Sequence, residues 1–123
     1  MGRRALWAAA WAGYLLILAL SLVPGEFRPR TGESHYVEHF VAYMVVSTVF
    51  GVAASKPVRY ALIAPALCIT AAAMELLQHF VPGRSPEVAG FLAGVFGVCM
   101  GALLTVISGA ALSAMRARQG NRS

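Results

Sequence analysis

The chain has 123 residues, a length that fits one domain. Hydrophobic residues make up 59% and charged residues 12%, against roughly 45–50% and about 25% in an ordinary soluble domain. That balance excludes a soluble domain and a disordered chain, and it leaves an integral membrane protein whose net charge of +5 must be read by position.

The first apolar span covers residues 5–23 and carries no charge; a bilayer crossing needs about 20 such residues. Arg3 and Arg4 ahead of it resemble the basic start of a signal peptide. The apolar run is longer than the roughly 7–15 residues of a signal core, and Val23-Pro24-Gly25 lacks a small-residue cleavage pattern. A retained helix is therefore expected, ended by Pro24-Gly25. Pro29 and Gly32 keep the following loop irregular.

The second span covers residues 36–54, with Ser34 placed to cap it and Glu38 and His39 in its first turns. Ser55-Lys56-Pro57 makes the next turn. The third span covers residues 59–80, with Pro65 inside it and Glu75, Gln78 and His79 near its end. Val81-Pro82-Gly83-Arg84 closes it. Ser85-Pro86-Glu87 then supplies a cap, a proline at the first helical position and an acid near the positive end of the dipole. The fourth span covers residues 87–111, and residues 116–123 read as a frayed polar tail. The expected architecture is an all-α bundle of four transmembrane helices forming one domain over residues 1–123.

Arg3, Arg4, Lys56, Arg59, Arg116, Arg118 and Arg122 fall on one side of such a bundle, and Arg28, Arg30 and Arg84 on the other. The positive-inside rule then puts both termini in the cytoplasm. All five glutamates and all three histidines lie on or near the outer face. Cys68 and Cys99 sit in apolar runs with no CxxC and read as two buried free thiols. Basic residues spread over both sides of a membrane do not make a nucleic-acid surface.

A carboxylate inside a span is costly. Glu75 lies five residues before Phe80, or about 7–8 Å inside the helix end. His39 lies at a matching depth on the neighbouring antiparallel helix. Glu75, Gln78 and His79 share one helical face, as do His35, His39 and Tyr43. If those faces meet, His39, Tyr43, Glu75 and Gln78 form a buried cluster with Arg84 just above it. Glu75 is expected to contact His39 directly or through one water, with Tyr43 or Arg84 within reach. A Glu75–His39 pair that only offsets its own burial is the alternative to a functional site. His39, Glu75 and His79 have spacing that permits chelation, but there is no HExxH, so neither a metal nor another cofactor is expected.

Gly90, Gly94, Gly97 and Gly101 mark one face of the last helix. Such a face packs closely against another helix, inside the bundle or across a homodimer.

Two stretches together resemble the VanZ-like family of small bacterial membrane proteins. One is Glu38-His39-Phe40-Val41-Ala42-Tyr43. The other is Glu75-Leu76-Leu77-Gln78-His79-Phe80-Val81-Pro82-Gly83-Arg84-Ser85, followed by the glycine-rich helix. The resemblance covers roughly residues 20 to 105. It matches His39, Tyr43, Glu75, Gln78 and Arg84 to the family's recurring polar positions. At His35, Gly90 and Gly94 this chain departs from the Asp, Asp and Asn that relatives usually carry. The family takes its name from a member linked to teicoplanin resistance. The resemblance implies a multi-pass protein of the bacterial cytoplasmic membrane but little chemistry; the first functional reading is that the outer-face cluster binds an envelope lipid, a lipid-linked cell-wall precursor or a glycopeptide. A small membrane enzyme with Glu75 and His39 as acid and base is a second reading, and an assembly scaffold a third.

Overall fold

The computed structural model describes residues 2–120, apart from the side chains of residues 57 and 58. Four long helices follow one another: α1 (Arg3–Leu22), α2 (His35–Ala54), α3 (Pro57–Leu77) and α4 (Val88–Gly120). Two single 3₁₀ turns, Gly25–Phe27 and Gln78–Phe80, sit in the connections after α1 and α3. No strand occurs among the described residues. All four helices are long and apolar enough to cross a membrane, which fits a multi-pass membrane protein.

Local chemistry sets the boundaries. Proline follows the last bonded residue of α1, whose Val23 N–H still reaches the Ala19 carbonyl at 3.2 Å. Ser34 caps α2 as expected, its hydroxyl accepting from the Val37 N–H at 3.3 Å. At the far end Ser55 turns left-handed (φ 56°) and ends the helix. Pro57 stands in the first turn of α3, where a missing N–H costs nothing. The helix continues unbroken through Pro65.

The last helix departs from expectation at both ends. It begins at Val88, so Pro86 lies before it, and the carbonyl of Glu87 accepts from the Gly90 and Phe91 amides. It also runs on to Gly120 rather than fraying at residue 116. The stretch from Ala110 to Gln119 is rich in Ala, Leu, Met, Arg and Gln, all strong helix formers. Residues 121–123 of the expected tail lie outside the described residues. At 33 residues the helix is about 50 Å long, well beyond a hydrocarbon core of about 30 Å, and it carries Arg116 and Arg118 in its final turns.

Helices α2 and α4 form the principal contact; α1 packs on α2, and α3 packs on α4 and, less extensively, on α2. The glycine stripe makes the α2–α4 contact possible. Gly90, Gly94, Gly97 and Gly101 are all buried, and a Cβ on Gly97 would collide with the Phe40 carbonyl of α2. The stripe is therefore used inside the bundle. Buried and half-buried hydroxyls add hydrogen bonds across helices, which supplement packing where lipid gives no hydrophobic drive. Ser47 of α2 donates to the Val98 carbonyl of α4 at 3.0 Å and shares a 2.5 Å bond with the Tyr60 hydroxyl of α3. Tyr14 of α1 meets Thr70 of α3 at 3.0 Å. Trp7, Trp11 and Tyr14 pack edge-on around Phe50.

Large apolar side chains such as Leu62, Ile69, Val106 and Ile107 stay exposed along the helices, as a lipid-facing surface requires. Both cysteines are free, but Cys68 is half-buried and Cys99 exposed. This corrects the expectation of two buried thiols: an apolar run predicts an apolar surrounding, and in a membrane bundle that surrounding is as often lipid as protein.

Candidate functional site

The two longer loops, 24–34 and 81–87, lie at one end of the bundle and are joined by a bond from the Gly25 N–H to the Pro82 carbonyl at 3.0 Å. Just below them α2 and α3 bring together three groups. Potential ligand atoms of His35, His39 and Glu75 all lie within 4.8 Å of one another. Glu75 thus sits beside His39, as the matching depths implied. Its own hydrogen bond goes elsewhere: the Glu87 N–H donates to Glu75 Oε1 at 2.5 Å. The carboxylate therefore rests against the start of α4, where free amides and the helix dipole favour a negative charge. Gly90 leaves it room, since a Cβ there would stand 2.9 Å from Glu75 Oε1.

The partners of the two histidines settle their tautomers. His39 Nδ1 lies 3.2 Å from the His35 carbonyl. A carbonyl only accepts, so Nδ1 carries the proton and Nε2 presents a lone pair. Arg28 Nη1 donates to His35 Nδ1 at 3.0 Å, so His35 carries its proton on Nε2. The two rings stack obliquely, with centroids 4.1 Å apart. One turn deeper on the same stripe, Tyr43 is 2% exposed, and its hydroxyl has no hydrogen-bond partner. A buried hydroxyl without a partner costs free energy, and such orphans mark places where a ligand or water belongs.

Gln78 and Arg84 join the structure differently from the expected cluster. Gln78 is buried and donates from Nε2 to the Ser21 carbonyl at 3.1 Å. Arg84 donates from Nε to the Val23 carbonyl at 3.0 Å and from Nη2 to the Leu20 carbonyl at 2.5 Å. Both side chains satisfy carbonyls at or just past the C-terminal end of α1 that have no helical partner.

Arg28 pairs with Glu38, which also accepts from the Thr31 hydroxyl at 2.6 Å. Tyr36 donates to Glu87 across the loop end. Desolvation lowers the pKa of both guanidiniums, and the Arg28 charge lowers that of Arg84 further; an arginine still stays protonated at neutral pH.

Two cavities flank the cluster. A groove of about 430 Å³ between α1 and α2 has apolar walls from Leu16, Ile17, Leu20, Val37 and Val41, and ends at Arg28, Glu38, His39 and Arg84, with Tyr43 also lining it. A second cavity, about 470 Å³, lies beneath the loops and shares Arg28, Thr31, Glu38 and Arg84 with the first. Non-local contacts by Arg28, Tyr36 and Glu87 escape a reading of sequence spacing. His35 was legible as part of an i, i+4 pair, but nothing local showed that Glu75 would face it. No family model, no curated protein and no solved structure matches the chain.

Proposed function

We propose that this chain is a VanZ-like integral membrane protein of the bacterial cell envelope that binds an envelope lipid or lipid-linked cell-wall precursor through the loop end of the bundle. The observation that carries this reading is the α1–α2 groove. Its walls are apolar, and its far end holds Arg28, His39 and Arg84 beside the carboxylates Glu33 and Glu38. Such a site suits an amphiphile whose acyl or isoprenoid chain lies against Leu16, Leu20 and Val41 while an anionic headgroup meets the guanidiniums. The loop end faces the periplasmic or extracellular side in this reading, with both termini in the cytoplasm, because the basic residues concentrate at the opposite end.

The experiment fills the groove. Val41 lines it and is 42% exposed, so Val41→Trp occupies the space without entering the core. Full-length protein in nanodiscs, probed with photoactivatable phosphatidylglycerol, is expected to label on α1 and α2. Val41→Trp should lose most of that label. Val45→Trp, one turn on, exposed and outside the groove, should keep it. Equal labelling of both variants would remove the groove as the site.

Orientation is tested separately. Reporter fusions after Ser123 and within the loop of residues 24–34 should report opposite sides of the membrane, with the C-terminal one cytoplasmic. A C-terminal fusion exported from the cytoplasm would reverse the assignment.

A further inference from the structure

We infer that His35, His39 and Glu75 form a binding site for a divalent transition metal of the zinc class. This goes beyond lipid binding in the groove, with which it shares His39, Tyr43 and Arg28. It also reverses the expectation that no metal is held. That expectation rested on the lack of an HExxH motif, and the ligand set then weighed included His79, which is exposed, its Nδ1 directed to the Leu76 carbonyl. The fold replaces it with His35.

Three observations meet at the site. The ligand set is two imidazoles spaced i, i+4 on one face of α2, plus a carboxylate from α3, with ligand atoms within 4.8 Å of one another. Two histidines and one glutamate leave a fourth position open, the composition of catalytic zinc sites rather than closed structural ones.

Second, two of the three ligands are already oriented by outer partners, the arrangement that holds metal-binding groups in place. His39 gives its Nδ1 proton to the His35 carbonyl, which leaves Nε2 as the free donor atom. The Glu87 amide holds Glu75 Oε1 and leaves Oε2. Third, the Tyr43 hydroxyl, on the same face one turn below His39, is buried and unpartnered. The His39 and Tyr43 ring centroids lie 6.4 Å apart, and a buried hydroxyl without a partner calls for a water or ligand nearby.

Arg28 is the competitor. While its guanidinium donates to His35 Nδ1, the proton of that ring sits on Nε2 and blocks it as a ligand. A metal on either ring nitrogen displaces Arg28, on Nδ1 by taking its place and on Nε2 by moving the ring proton to Nδ1. Arg28 is also paired with Glu38, so it keeps a partner when His35 lets go. Cation and guanidinium therefore exclude each other at His35, and removing Arg28 should strengthen metal binding.

The test uses the full-length chain, purified in detergent with a tag that contains no histidine and stripped with a chelator. It is titrated with Zn²⁺ by calorimetry and with Co²⁺ by visible absorption. The expected result is one Zn²⁺ per chain and a Co²⁺ spectrum of low-coordinate type. His39→Asn and Glu75→Gln should each weaken binding by more than the roughly 10–100-fold typical of losing an outer-shell partner. Arg28→Gln should tighten it, and His79→Asn should leave it unchanged.

The Arg28 variant keeps the test decisive if a ligand variant fails to fold, because it calls for a gain. Absence of stoichiometric binding in both the wild type and Arg28→Gln would overturn the site. So would binding that survives His39→Asn and Glu75→Gln, or that is lost in His79→Asn. Photolabelling by lipid reads the groove wall and zinc titration reads the three ligands, so either proposal can fail without the other.

Discussion

Gly97→Ala should destabilise the protein strongly, although it adds one methyl group. The new Cβ would run into the Phe40 carbonyl and stand 3.0 Å from the Met44 amide nitrogen, both backbone atoms of α2. A side chain in that position could rotate away, whereas a helix backbone moves only if the whole α2–α4 contact opens. Overpacking of this kind costs about 1–3 kcal/mol or more, and close helix contact is the main source of stability where lipid surrounds the bundle. Thermal unfolding in detergent should show a clear loss. Gly94→Ala should cost less, because its Cβ would meet the Ala71 methyl at 3.2 Å and the Tyr43 ring at 3.3 Å, overlaps that a shift of a few tenths of an ångström relieves. Gly109→Ala provides the control: nothing lies within 4 Å, so it should be neutral or slightly stabilising through helix propensity. Equal stability of the Gly97 and Gly109 variants would show that α4 does not pack on α2 through this face.

Arg84→Gln should loosen the end of α1 and empty the groove together. The guanidinium makes two bonds to α1, at the Val23 and Leu20 carbonyls. Hydrogen bonds from charged groups contribute roughly 1.5–3 kcal/mol each when well buried; Arg84 is only partly buried, so about 1–2 kcal/mol for the pair is the expected loss. Arg84→Lys keeps the charge but loses the planar fork that reaches both carbonyls. It should recover little of the stability and part of the labelling by an anionic lipid. The comparison separates two roles of one side chain. If both variants label as the wild type does while losing stability, Arg84 serves α1 alone and Arg28 carries the headgroup contact. If both are as stable as the wild type, the bonds to α1 contribute nothing.

Much of the framework was legible because membrane helices announce themselves by length and hydropathy, and because proline, glycine and serine mark their ends. The Ser34 cap, the turn before Pro57 and the close-packing glycine face follow from side-chain chemistry that acts within a turn or two. The start of α4 misled for the same local reason. Ser85-Pro86-Glu87 has the composition of a helix entry, but the helix begins one residue later, at Val88, with the Glu87 amide on the Glu75 carboxylate.

The site divides along the same line. Sequence alone put His35, His39 and Tyr43 on one stripe and Glu75 at the depth of His39, because helical periodicity and antiparallel connection determine face and height. It could not set the rotation of α2 against α3, which decides that His35 rather than His79 joins Glu75. Nor could it turn Gln78 and Arg84 toward α1, a helix about 60 positions away whose carbonyls needed donors. Those choices were made by tertiary structure: the glycines of α4 let α2 approach until backbone met backbone, and each buried polar group then took whichever unsatisfied partner that packing left within reach.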